Sequence, residues 1–421
     1  MPSASKRLSH CRLCGGVFYS AQLSLPPTPP ANRLGKTKSE ATEMVRFPLE
    51  VVMCQECKHL QLRDIVDSQI LYSDYVYKSG TSRTFVEHFT QLAAEIKLLA
   101  VPNHFIVEVG SNDGTLLDAL TGSGFETIGI EPSLTLVDEA NTRNRNTIHG
   151  FFNTKTMTEI VKQKGNPGVI IGNNVFAHID NLNEAFECAA QHIDIDGYFV
   201  FEVADVSKIL TNGIFDTIYH EHMSYHSVIT LRKFSDRHGF VITRIDKIET
   251  HGGSLRFFLR KNKYAENTSI VESIIADEEG LGLNNDSSIL NIKKQIERVK
   301  KEASQLMAPY ISDPNVRLIG YGAPAKVVTF LAALEFEGLN LQGIVDDNEF
   351  KQGKYLPGSG IPIVSSLDMQ REIIENSTSQ EIVCLVFPWN LGPEVISKLK
   401  TWLPKESSII SFFPTIRKVV T

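Results

Sequence analysis

From residue 104 onward the chain alternates short apolar strands with amphipathic helices, and this rhythm restricts the fold more than any other feature. HFIVEV (104–109) leads through a glycine-containing turn into a helix. ETIGI (126–130), a helix ending near Arg143, a short TIHG strand, GVIIG (168–172), a helix at 182–192 and GYFVFEV (197–203) follow. Strands separated by helices run parallel, because each helix carries the chain back across the sheet, so the region reads as a doubly wound α/β sheet. It closes differently: FVITRIDKIE and SLRFFLR flank His251-Gly252-Gly253, the pattern of a terminal antiparallel hairpin. A second alternating unit of Rossmann-like character runs from NVRLIG (315–320) through YGAPAK and a helix to QGIVDD (342–347), EIVCLVF (381–387) and SSIISFF (407–413). Between the two, Ile289, Ile292, Ile296, Val299, Ala303 and Leu306 recur every three or four residues, as on one face of a connecting helix. Ahead of the first unit, Phe85, Phe89, Leu92, Ile96 and Leu99 mark a helix that Ser82 can cap. The expected organisation is an amino-terminal module over 1–78, an α/β domain over 79–265, a helical connector over 266–310 and a carboxy-terminal α/β domain over 311–421.

With 421 residues the chain exceeds one compact domain. Lys plus Arg is 42 against Asp plus Glu 49, a net of −7, which argues against a dedicated nucleic-acid binder. The apolar runs are strand-length, far short of the roughly 18 residues of a membrane span. The start, MPSASKRLSHCRLC, has no apolar signal-peptide core, so a cytoplasmic protein with no membrane partner is expected. A monomer is the default expectation.

Four of six cysteines fall in the first 57 residues as Cys11-x-x-Cys14 and Cys54-x-x-Cys57. Two residues between thiolates let both sulfurs meet one ion, and two such turns complete a tetrahedral set. The alternatives are two unrelated pairs or a redox CxxC. The spacing favours structural zinc. The 39 residues between the pairs hold a Pro-rich stretch at 26–30 and a strand pattern, MVRFPLEVVM, at 44–53. Cys188 and Cys384 lie in apolar patterns and read as core thiols.

The first strand ends Glu108-Val-Gly110-Ser-Asn112-Asp113-Gly114, where small residues let backbone approach a ligand. The turn lacks the full GxGxxG of a dinucleotide dehydrogenase. The next strand ends IGIEPS, which puts Glu131, followed by Pro132, where an acid can accept both ribose hydroxyls of a nucleoside. GNNVFAHI (172–179) lines the same crevice. These motifs with the hairpin resemble the class I S-adenosylmethionine-dependent methyltransferase fold. By that resemblance Gly110, Asn112, Asp113 and Gly114 border the cofactor, Glu131 holds its ribose, Asn173 and Asn174 lie along the site, and one of Tyr72, Tyr75 and Tyr77 faces it.

Tyr219-His220-Glu221-His222, with Tyr225-His226 behind, is the densest titratable group, and His178 lies in GNNVFAHI. The bland alternative is a polar surface loop. Histidines at i and i+2 do not form a metalloprotease-type zinc pair, so metal binding is rejected here. A histidine beside a carboxylate reads as a general base, and a tyrosine hydroxyl as a donor to an oxyanion. CRLC, CQEC, the cofactor motifs, YHEH, HGGSLR (251–256), YGAPAK and DDNEFKQGKYLPGSGIPI (346–363) together resemble the sugar C-methyltransferases acting on nucleotide-linked 4-keto-6-deoxy sugars. Val327 stands where that family often carries glycine. The resemblance implies His222 as base, Tyr219, Glu221 and His178 in support, and a substrate, carried by deoxythymidine diphosphate, met by His220, Ser254, Arg256, Lys326 and Lys354. It implies S-adenosylmethionine and a structural zinc, with no nucleic acid. Two other readings stay open: methylation of a sugar oxygen on the same scaffold, and a zinc-containing nucleic-acid-binding protein with an inactive methyltransferase domain.

Overall fold

The computed structural model describes residues 4–72, 78–81, 83–249, 252–261, 269–283, 285, 287–375 and 380–421. Its central sheet has seven strands: β1 (Phe105–Val109), β2 (Glu126–Glu131), β3 (Thr147–His149), β4 (Val169–Asn173), β5 (Tyr198–Ala204), β6 (Phe240–Ile248) and β7 (Ser254–Lys261). They lie in the order β6-β7-β5-β4-β1-β2-β3. β1 to β5 pair in parallel, while β7 enters antiparallel between β5 and β6. This is the class I methyltransferase order with its terminal hairpin, as the alternation and the His-Gly-Gly turn predict. Residues 250 and 251 of that turn, like Ser82, Tyr75 and Tyr77, lie outside the described residues. Strand order reverses between β1 and β4, which places the ligand crevice at the carboxyl ends of these strands. One face of the sheet is covered by the helix Arg83–Lys97 through Phe85, Phe89, Leu92 and Ile96. The other carries an aromatic core of Phe176, Phe186, Phe199, Phe201 and Phe257.

The amino-terminal module is richer in strands than its sequence suggests. Phe18–Thr28 forms an eleven-residue edge strand against Phe47–Cys54, and the latter pairs with Leu60–Leu62. Pro26 and Pro27 hide this strand from a pattern reading. They are tolerated because it lies at the sheet edge and its register breaks between Leu25 and Thr28. The fourth strand of the sheet is Ser224–Tyr225, just after the YHEH segment and paired antiparallel with Leu60 and Gln61. The module therefore grips the segment that the sequence marks as chemically dense.

The carboxy-terminal sheet has the order Ile363–Val364, Leu341–Val345, Val316–Tyr321, Glu381–Val386, Ser408–Ser411, Arg417–Val420. All neighbours are parallel except the last pair, an antiparallel edge that the alternation did not foreshadow. The connector is two helices, Ser269–Gly280 and Ser287–Ile311, because Gly282 takes a left-handed turn between them (φ +76°). One apolar core joins Met53 and Leu62 of the amino-terminal sheet, Phe215 and Ile218 before YHEH, Ile292 and Ile296 of the connector, and Phe330 and Phe413 of the carboxy-terminal unit. No helix among the described residues is long and apolar enough to cross a membrane.

Candidate active site and metal centre

The four cysteine sulfurs converge to within 4.8 Å of one another. Cys11 and Cys57 stand 3.6 Å apart and Cys14 and Cys54 3.4 Å, close to the roughly 3.8 Å edge of a tetrahedron with 2.3 Å zinc–sulfur bonds. The amides of Leu13 and Gly16 and the side-chain amide of Gln61 donate toward Cys11 and Cys14 at 3.2–3.4 Å, the donors that thiolate charge requires. The residues fit a four-thiolate zinc ion. Such a set leaves no open position, so the metal is structural. Two unrelated pairs are excluded, since all four sulfurs meet at one point.

At the cofactor crevice, Gly110 (φ +65°), Asn112 (φ +52°) and Gly114 (φ +76°) fold the chain into a tight turn after β1. Asn112 Oδ1 accepts the Ser79 N–H at 3.1 Å, and the Asp113 carboxylate accepts the Gly80 N–H at 3.1 Å. Residues 79–80 thus close over the turn. Glu131, 5% exposed at the end of β2, accepts the N–H groups of Asn112 and Ser133, both at 2.9 Å. Burial pushes its carboxyl pKa up, and these two bonds pull it back. Each oxygen retains a second acceptor position, enough for a pair of hydroxyls. Pro132 contributes its carbonyl to His149 Nε2 at 3.0 Å. At the end of β4, both polar atoms of the Asn173 side chain are buried with no protein partner, while Asn174 (φ +57°) donates its N–H to Glu202 O. A buried amide without a partner is costly unless a ligand or water satisfies it. Unsatisfied Asn173 and the buried Glu131, at the ends of β4 and β2, fit a nucleoside-bearing cofactor. Tyr72 is half-buried with its hydroxyl pKa raised by burial.

The YHEH side chains point in different directions. Tyr219 Oη lies 2.6 Å from His222 Nε2, and His222 Nδ1 lies 2.8 Å from Thr217 O. A carbonyl only accepts, so Nδ1 carries the proton and Nε2 presents its lone pair to the tyrosine hydroxyl. The group that orients His222 is therefore Thr217, not Glu221 as adjacency in sequence suggests. Glu221 is 1% exposed and receives the Asn32 side-chain amide on both oxygens at 2.8 Å. His220 is also 1% exposed, with Nε2 3.3 Å from Phe47 O and Pro48 O. Burial lowers its pKa to about 4. His178 packs against His222 with ring centroids 5.0 Å apart and planes tilted by 49°, and burial lowers its pKa to about 4 as well.

The remaining sequence candidates scatter. Arg256 is 1% exposed in β7 and bound to Glu202, Glu95 and His88, a buried ion cluster. Ser254, beside it, is buried opposite Ala204. Lys326 Nζ sits 4.3 Å over the Trp389 ring and 3.4 Å from Asn390 Oδ1, near Asp216. The turn before it does not offer its amides freely: Ala323 N–H is taken by Asp346 Oδ2 at 2.7 Å. Lys354 is half-buried beside Lys351, which holds Asp346 and Ala323 O.

Sequence reading missed the wall next to His222. A cavity of about 30 Å³ there is lined by Asp205, Lys208, Ser224, Tyr225, Gly252 and Gly253 among others. That space holds about one water, so a larger substrate enters only as the wall parts. Tyr225, Gly252 and Gly253 lie in stretches the sequence marks, whereas no local pattern singles out Asp205, Lys208 or Ser224.

Sequence models of three families match the chain: a putative zinc-binding domain over 11–72, a methyltransferase domain over 83–245 and a C-methyltransferase C-terminal domain over 249–414. The C-methyltransferase NovU of Streptomyces niveus is 28% identical over 422 residues, covering 100% of this chain and 99% of that one. Similar solved structures include a magnesium protoporphyrin IX methyltransferase from Synechocystis PCC 6803 (18% identity, 42% of this chain, 85% of that chain, TM-score 0.33) and a protein of Pyrococcus horikoshii OT3 (12%, 44%, 95%, 0.36). The three family models succeed one another without overlap, so the chain carries the zinc-binding, methyltransferase and C-methyltransferase C-terminal domains in that order, and it is an S-adenosylmethionine-dependent C-methyltransferase.

Proposed function

We propose that the chain methylates carbon 3 of a nucleotide-linked 4-keto-6-deoxy sugar, carried by deoxythymidine diphosphate, through an enolate that His222 generates. The observation that carries this reading is the Tyr219–His222 pair, with the imidazole already in the tautomer a base needs. The YHEH and HGGS motifs supply the sugar class by resemblance.

A proton on carbon beside a ketone is acidic enough for a positioned histidine to remove. As the Tyr219 hydroxyl hydrogen turns from Nε2 toward the substrate oxygen, the freed lone pair of His222 Nε2 takes that proton. The imidazolium N–H then donates to Tyr219 Oη, whose hydrogen bonds the enolate oxygen. Thr217 O holds the ring throughout. His178, kept neutral by burial, supports the same oxyanion from alongside. S-adenosylmethionine supplies a methyl group on a positively charged sulfur, activated for attack by carbon. Glu131 and Asn173 hold this cofactor, and residues 79–80 help exclude water from it. By the family resemblance, Lys326 and the carboxy-terminal unit meet the nucleotide. Glu221 fixes the loop through Asn32 and leaves the proton transfer to its neighbours.

The test is twofold. Mass spectrometry of reactions with nucleotide-linked 4-keto sugars should show a gain of one methylene unit, with the new methyl bonded to carbon by NMR. His222→Asn should slow deuterium exchange at carbon 3 together with methyl transfer, by about 100-fold or more. Exchange at the wild-type rate in that variant assigns the base elsewhere, with Tyr219 next to be tested. Methylation of an oxygen, with no exchange at carbon 3, rejects the reading.

A further inference from the structure

We infer that Lys208 is the cation that holds a phosphate of the substrate, an assignment that rests on the nucleotide-linked reading above. Lys208 follows β5 in the short helix Ser207–Asn212 and lines the cavity that also contains His222 and Ser224. It is half-buried, and among the described residues its ammonium meets no carboxylate and no other acceptor. The lysines of the carboxy-terminal unit that border its strand ends are engaged. Lys326 is on Trp389 and Asn390, Lys351 on Asp346 and Ala323 O, and Lys398 on Asp347 at 2.7 Å. Arg256 is consumed by Glu202 and Glu95. Asp205, on the same wall, receives the Ser207 N–H at 2.9 Å and does not reach the lysine. A half-buried lysine that lines a cavity and has no counter-charge among the described residues is stabilised when an anion arrives.

The position of the side chain is built in. A Cβ on Gly253 (φ +116°) falls 2.8 Å from Lys208 Cε, so the lysine stem lies across bare glycine backbone. A Cβ on Gly252 (φ +90°) falls 2.0 Å from the Trp389 ring, over which Lys326 sits. The two glycines of the turn thus bring Lys208 and the Trp389–Lys326 stack onto one small stretch of backbone beside the cavity. A diphosphate joined to a sugar at His222 meets Lys208 first.

The test is calorimetric binding of deoxythymidine diphosphate and of deoxythymidine to the full-length zinc-containing protein with S-adenosylhomocysteine present. Lys208→Met keeps the stem and removes the charge. It should weaken the diphosphate by about 10- to 100-fold and leave the nucleoside within about twofold, since only the charge-assisted contact is lost. Lys208→Arg should recover most of the loss. Steady-state kinetics should show KM raised by a similar factor and kcat within about threefold. Unchanged S-adenosylhomocysteine affinity and zinc content establish that the variant is folded. Equal diphosphate affinity in wild type and Lys208→Met overturns the assignment alone. No binding of either probe to the wild type overturns the nucleotide-linked reading and this inference with it.

Discussion

Gly252 carries a prediction that can be worked from its contacts. Gly252→Ala places a methyl group 2.0 Å from Trp389 Cη2 and 2.4 Å from Cζ3, in a backbone conformation with φ +90°. Forcing an L residue into that conformation costs about 1–2 kcal/mol. The indole must also move by more than an ångström to reach ordinary contact. Trp389 is 7% exposed, packs on Phe413, and donates Nε1–H to the buried carboxylate of Asp216 at 2.7 Å. Displacing it breaks a charge-assisted bond worth about 1.5–3 kcal/mol. The sum is about 2.5–5 kcal/mol, a large share of the stability of any domain. Urea unfolding followed by tryptophan fluorescence reads both parts, because the chain has only two tryptophans and Trp389 is one. The emission of the folded variant should shift, and methyl transfer should fall as the Lys208 and Lys326 sides separate. In a Trp389→Leu background the same glycine change should cost only the backbone part, about 1–2 kcal/mol. A penalty below about 1 kcal/mol, or one identical in both backgrounds, refutes the claim that the turn is glycine because of the indole.

Three further outcomes are expected. Cys54→Ser should lose the one zinc ion per chain and lower the melting temperature, measured by elemental analysis and calorimetry; full zinc content in the variant rejects the four-thiolate site. Glu131→Ala should weaken cofactor binding by about 10- to 100-fold in calorimetry with nucleotide binding unchanged, and unaltered cofactor affinity removes Glu131 from the site. Asp216 has its pKa raised to about 6, chiefly by burial, with Lys326 and the Trp389 N–H opposing. Its folded form keeps the proton above the ordinary carboxyl value of 3.8, so its stabilising share is present at low pH and is lost as pH rises through about 6. Asp216→Asn should therefore gain on the wild type by about 3 kcal/mol between pH 4 and pH 8 in unfolding titrations, and a flat difference contradicts the shift.

Much of the site was legible because its signals are local. Paired CxxC spacing specifies a metal site through the reach of two short turns, and IGIEPS places Glu131 through strand polarity alone. The roles inside YHEH were not legible. Four consecutive residues have one sequence neighbourhood but four directions, so Glu221 is spent on Asn32 and His222 is oriented by the Thr217 carbonyl. Prolines at 26 and 27 concealed an edge strand, since a pattern reading does not know that the strand ends the sheet order.

The sequence by itself determined the order of units, the parallel sheet with its closing hairpin, the cysteine set and the cofactor crevice, because periodicity and short spacings are properties of neighbouring residues. Only the tertiary structure decided which side chains share the cavity with His222. Ser224–Tyr225 is held there by the amino-terminal sheet, whose partner residues Leu60 and Gln61 lie more than 160 positions earlier. Trp389 arrives from the far end of the chain to fit the bare backbone of Gly252. Lys208, brought onto the same wall by the Gly253 backbone, meets no acceptor among the described residues. Such facts follow from packing across the whole chain, where a contact is chosen by shape and charge in three dimensions and leaves no periodic trace.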